Sequence, residues 1–228
     1  MKIARCPVRM AVLAFVLAGS PSLNAGAPAG PAPTTRAAEA VFDGAAGLIH
    51  RALHAKIAAV GVSMPARLAV AVEQIQRTRA YTLLYLDRTD EADWFKRPGG
   101  CPTHIAWQVG HLAVAEKFLL NDHVIGGDGS EALPPSFTQL FMRGATVAEG
   151  ADHYPSPAQI RAALDGVHER MIARLSGIRD EDLDRPALRK HDLFETKLGA
   201  MLWCARHEML HVGKIGLIRR MLGAAPIR

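Results

Sequence analysis

Inward-facing positions recur at helical spacing four times between Met64 and Gly223. The first run takes in Leu68, Val72, Ile75, Thr78, Thr82 and Tyr85 and predicts a helix to about Leu86, with Pro65 suited to its first turn. Asp87 to Gly100 is polar and ends in Pro-Gly-Gly, a turn whose Trp94 and Phe95 are expected to close one end of a bundle. Thr103 is the expected cap of a second helix running to about His123, stopped by Gly126-Gly127. On that helix His104, Trp107, Gln108, His111, Ala115, Phe118 and Leu119 share one broad face. Gly110, Ala113, Glu116 and Lys117 turn away, and His123 is expected in solvent.

Gly126 to Pro155 is a long connection rich in Gly, Pro and Ser, with one apolar patch from Phe137 to Met142. A crossover of that length is expected to be a functional loop or an ordered cover. Ser156-Pro157-Ala158-Gln159 forms a capping box with Pro at the first helical position. It opens a third helix to about Ile178, with Ile160, Ala163, Leu164, Val167, Met171 and Leu175 inward. A charged connection, Asp180 to Leu193, holds Pro186 and a His191 expected to be exposed. The last helix begins at a Thr196 cap, carries Arg219 and Arg220 in its final turn and stops at Gly223. The fold class is therefore all-α: a four-helix bundle with a long crossover between helices two and three.

Residues 1–63 follow a different pattern. Lys2, Arg5 and Arg9 precede an apolar run, Met10 to Ala18, too short to span a bilayer, and Ala25-Gly26-Ala27 offers a small-residue cleavage site. Residues 1–27 thus read as a signal-peptide-like leader, which predicts an exported or periplasmic protein with no membrane segment in the mature form. Residues 28–63 read as an Ala/Pro-rich linker, helical in part, and 64–228 as the bundle. The competing reading starts translation at Met64 and leaves the protein in the cytoplasm.

The candidate chemistry lies on the last helix. His207 and His211 are four residues apart, so both imidazoles project from one face, one turn apart, a spacing that suits a shared metal ion. Ala200, Cys204, Ile215, Ile218 and Leu222 share that face, while Arg206, Arg219 and Arg220 fall on its flanks or behind. The ordinary alternative is a pair of core histidines bonded to their neighbours. Two imidazoles on an apolar stripe favour the metal, because buried ring nitrogens without partners are costly. The string His207-Glu208-Met209-Leu210-His211 matches the H-E-x-x-H pattern of zinc proteases, but no His, Asp, Glu or Cys follows His211. A third ligand has to come from upstream, from a facing helix, and His111 sits mid-helix on the inward face of the second.

Composition narrows the field further. The formal charge of +5 is spread among alternating acidic and basic residues, with aromatics at only 6%, which gives no nucleic-acid surface. Three cysteines, Cys6, Cys101 and Cys204, imply no disulfide framework.

Thr103 to Glu116 (THIAWQVGHLAVAE) and the closing HEMLHVGKIGLIRRMLG resemble the second-helix and final motifs of the DinB superfamily of metal-binding four-helix bundles. YPSPAQIRAAL and LSGIRDEDLDRP are similar to its linking segments, and the resemblance covers Met64 to Gly223. It implies a metal triad of His111, His207 and His211, with Lys214 standing where many relatives carry Gln. It also implies a divalent cofactor, with zinc and nickel the leading candidates and iron and manganese the others. Relatives include transferases and isomerases that use low-molecular-weight thiols, so the implied activity is thiol-dependent transfer to a small-molecule substrate. Hydrolysis by metal-activated water and a non-catalytic metal-binding or structural bundle are the alternatives. Glu208 is expected to orient a ligand or relay a proton, or else to pair with an arginine. His104 and Gln108 are candidate substrate contacts, the former also catalytic. Cys204 is a candidate soft ligand, redox handle or substrate contact, or simply a small apolar residue. Pairing into a homodimer is the expected protein contact.

Overall fold

The computed structural model describes residues 66–127 and 133–227. The leader, the linker and the start at Met64 lie outside the described residues.

Four long helices form the bundle, as the periodicity predicts. They are α1 (Ala66–Asp87), α2 (Ile105–Glu116), α4 (Pro157–Leu175) and α5 (Lys197–Met221), with a short α3 (Pro135–Phe141) inside the crossover. α1 packs along α5, α2 along α4, and α2 also faces α5. Leu68, Val72 and Ile75 of α1 meet Ile105, Val109 and Leu112 of α2, the inward row of α4, and Ala200, Met201, Ile215 and Ile218 of α5 in one continuous core. Among the described residues no helix is long and apolar enough to cross a membrane.

The helix ends follow local chemistry. Ser156 and Gln159 form the reciprocal capping box at the start of α4. The Thr196 hydroxyl accepts from the amide of Gly199 at the start of α5, and Gly223 ends that helix with φ 91°, which a side chain would resist. At α2 the cap differs from expectation. His104, one residue past Thr103, takes the N-cap position and its Nδ1 accepts from the Trp107 amide.

His104 is fully buried between Phe95 and Tyr154. Its structural position is that of a cap and packing residue, with no exposed surface for a substrate. Burial, opposed by the backbone at Ala148, holds its pKa down to about 4 from an ordinary 6.5. The stability gained from a neutral ring is complete above pH 6.5 and is lost as pH falls toward 4. His104→Asn keeps a cap acceptor without a titrating ring. Urea unfolding at stepped pH is expected to show a lower stability at pH 7 and a shallower acid loss, by on the order of 2 kcal/mol between the two limits.

Beyond Glu116 the second helix widens into a π-helical stretch, Lys117–Ile125. Each residue there advances fewer degrees round the axis than in an α-helix, so the face predicted at constant pitch rotates. Two expectations are reversed by this. Phe118 is 40% exposed, whereas His123 is buried against Phe118 and Phe194. The His123 Nδ1–H donates to the carbonyl of Arg189.

That carbonyl belongs to a β-hairpin absent from the sequence reading, β1 (Pro186–His191) and β2 (Phe194–Thr196), paired antiparallel. His191 is half-buried rather than exposed, its ring stacked on Phe194 at 4.2 Å. Arg219 is also corrected: it is buried, donating to the carbonyl of Arg88 and lying over Tyr85.

Gly110, Ala113 and Glu116, expected to turn outward, are buried because the crossover and α4 cover that side of α2. A Cβ at Gly110 would lie 2.4 Å from the Phe141 ring, and Phe141 is fully buried. Gly110→Ala is expected to displace α3 and to cost about 1–3 kcal/mol, measured by chemical unfolding.

Candidate metal centre

His111 from the middle of α2 and His207 and His211 from the middle of α5 converge across the bundle. Their candidate ligand nitrogens all lie within 4.8 Å of one another, a spacing one divalent ion can draw together by small side-chain rotations. Ring centroids are 4.5 Å apart for His207 and His211, 4.8 Å for His111 and His211, and 5.4 Å for His111 and His207.

Two of the three rings are fixed through their far nitrogen. His111 Nδ1–H donates to the Phe141 carbonyl at 2.8 Å, and His211 Nδ1–H donates to Gln108 Oε1 at 2.6 Å. Each bond sets the tautomer and leaves Nε2 with its lone pair, the arrangement that orients imidazole ligands. Gln108 is itself held, its amide donating to the Thr103 hydroxyl at 2.8 Å. Gln108 is 1% exposed. It therefore acts on His211, in place of the substrate contact expected from the sequence. The Phe141 carbonyl was not legible as a partner: a backbone oxygen at the end of a crossover helix has no sequence signature.

The electrostatics suit the same use. Burial, then the neighbouring His111, Lys214 and His191, lower the pKa of His207 to about 4. Burial, with His207, His111 and Lys214, takes His211 to about 2, and burial and Lys214 lower His111 against the pull of the Phe141 carbonyl. All three rings are neutral at neutral pH. Metal binding requires that form, so the donor set fits a divalent ion. Trp107 lies flat on His111, with 4.9 Å between ring centroids and an interplanar angle of 6°.

Glu208 follows His207 in sequence but faces a different set of groups. Its carboxylate accepts from Arg79 Nε at 2.8 Å and from the Thr82 hydroxyl, and it is 2% exposed. The same guanidinium donates to Glu116 at 2.7 Å and to the Leu164 carbonyl at 3.1 Å, so Arg79 of α1 ties α2, α4 and α5 together. His168 closes the network on Glu116. Of the roles weighed for Glu208, the arginine pairing is the one these contacts describe. Arg79 had a usable signal, since it falls four residues after Ile75 on the inward face of α1. Cys204, one turn before Glu208, is buried, and burial raises its thiol pKa well above the usual value. It behaves as a small apolar residue outside the histidine cluster.

No curated protein matches the chain. A family model described as the DinB superfamily matches residues 74–215, which spans α1 to α5 and all three histidines. With a mostly helical bundle and an inward histidine triad shared between its second and last long helices, the chain belongs to the DinB superfamily.

Proposed function

We propose that the protein is a divalent-metal-dependent enzyme of the thiol-transferase type, with His111, His207 and His211 as the ligands. The observation that supports this most is the pair of bonds from Phe141 and Gln108. They hold the Nδ1 protons of His111 and His211 and so leave two Nε2 lone pairs free within the cluster, with the tautomer already chosen. His111, His207 and His211 would hold a divalent ion, which would supply Lewis acidity able to bring the pKa of a thiol or water toward neutrality.

The chain's own residues do the rest. Burial keeps the imidazoles neutral, Gln108 and the Phe141 carbonyl keep them oriented, and Trp107 covers one side of His111. The Arg79 network fixes α5 against α2, and with it the distance between His111 and the other two ligands. The substrate class is a small electrophile.

The test is metal analysis of the full-length protein followed by turnover of a panel of electrophiles, each with and without added low-molecular-weight thiol. About one equivalent of metal and thiol-dependent turnover support the proposal. Turnover with water alone turns it into a hydrolase. A bound metal with no turnover in any metal form leaves a binding bundle and overturns the enzyme reading.

A further inference from the structure

We infer that the site selects ligands carrying a negative charge in addition to the metal-binding atom, and that Lys214 is the residue that makes this selection. The inference rests on the metal reading of the triad and deepens it to a substrate class.

Lys214 lies three residues after His211 and seven after His207 on α5, within about 60° and 20° of them round the helix. It is exposed, and among the described residues no carboxylate or other acceptor is bonded to it. The carboxylate on the same stretch of helix, Glu208, is buried and committed to Arg79 and Thr82, so it does not neutralise the ammonium. The charge of Lys214 acts on all three imidazoles. The triad adds no negative charge of its own: its ligands are neutral and no carboxylate joins the cluster.

A divalent ion at the triad and the ammonium of Lys214 thus lie along the same face of α5, and the complementary ligand brings more than one negative charge. The indole N–H of Trp107, whose ring lies on His111, is buried without an acceptor among the described residues. A carboxylate on a ligand held at the triad has the Lys214 ammonium to meet.

The geometry implies two effects of opposite sign. Lys214 repels the incoming metal and attracts the anionic ligand, so its neutral replacement strengthens the first interaction and weakens the second. A general loss of packing cannot do both. The probes are cobalt(II) for the metal, and 3-mercaptopropionate against its uncharged analogue 3-mercaptopropionamide for the ligand. Binding is followed by the sulfur-to-cobalt charge-transfer absorption of the full-length protein.

The wild type is expected to prefer the carboxylate by roughly fivefold, the size of a partly screened exposed pair, and the preference is expected to shrink as ionic strength rises. K214Q is expected to bring the ratio near unity while binding cobalt at least as tightly, and K214E to invert it. A ratio that stays the same in K214Q with cobalt bound overturns the inference and leaves the metal site standing. A wild-type protein that binds no cobalt overturns the metal reading and this inference with it.

Discussion

Arg79→Met is expected to destabilise the protein by about 3–5 kcal/mol, or roughly 10 °C in melting temperature for a domain of this size. The guanidinium is almost fully buried, with side-chain exposure of 4%, and neutralises two carboxylates, Glu116 and Glu208, exposed by only 2% and 3%. Removing it leaves two buried negative charges 92 residues apart in sequence (208 − 116) but joined through one cation in space. The triple variant R79M/E116Q/E208Q, with no buried charge left unpaired, is expected to recover part of the loss. Denaturant unfolding of the two proteins at pH 7 checks the pair of outcomes. If R79M alone costs less than 1 kcal/mol, the network does not hold the helices together.

The same network has an acid limb. Burial raises the pKa of Glu116, but the charges of Arg79 and His168 outweigh it and hold the carboxyl down to about 2. A depressed carboxyl contributes stability that is present above the unfolded value of 4.5 and is lost as pH falls toward 2. In R79M the strongest charge holding it down is gone and burial acts against less opposition, so the carboxyl rises toward or past 4.5 and the variant, less stable at pH 7, is expected to lose less further stability on acidification than the wild type.

Single replacement of His111, His207 or His211 by alanine is expected to weaken metal binding by on the order of a hundredfold or more, since each removes one of three donors. Gln108→Leu removes only the support of His211 and is expected to cost about 10–100-fold, with the metal still bound at higher concentration. Isothermal titration or competition with a chelating dye gives both numbers. The bound metal also stabilises the fold by mass action, about 2.7 kcal/mol at a hundred times Kd. Metal addition is expected to raise the melting temperature of the wild type, less so for Gln108→Leu, and least for the alanine variants. Equal metal affinity in the wild type and the three alanine variants would mark these as core histidines.

The legibility of the molecule divides by range. The capping box at Ser156, the Thr196 cap and the Gly223 stop were readable because each is decided within four residues of itself. The inward rows of α1, α4 and α5 were readable because burial of an amphipathic helix follows its own period. Where period failed, a neighbour or a change of pitch had intervened. The π-helical stretch after Glu116 turned His123 in and Phe118 out, and the hairpin arose from a segment whose charged residues disguise its pairing. Glu116 looked like a solvent residue until Arg79 of another helix gave it a reason to be buried.

The four long helices, the starts of α4 and α5, the stop at Gly223, and the shared face of His207 and His211 with His111 on another helix are legible in the sequence alone. Those are properties of single segments, set by backbone geometry and side-chain spacing. That the three rings meet, and which nitrogen His111 and His211 present, follows from the tertiary packing alone. The same packing decided that Gln108 serves His211 and that Glu208 belongs to Arg79. Each of those depends on a donor and an acceptor far apart in the chain, and the bond forms only once packing has brought them within about 3 Å and excluded the water that would otherwise compete.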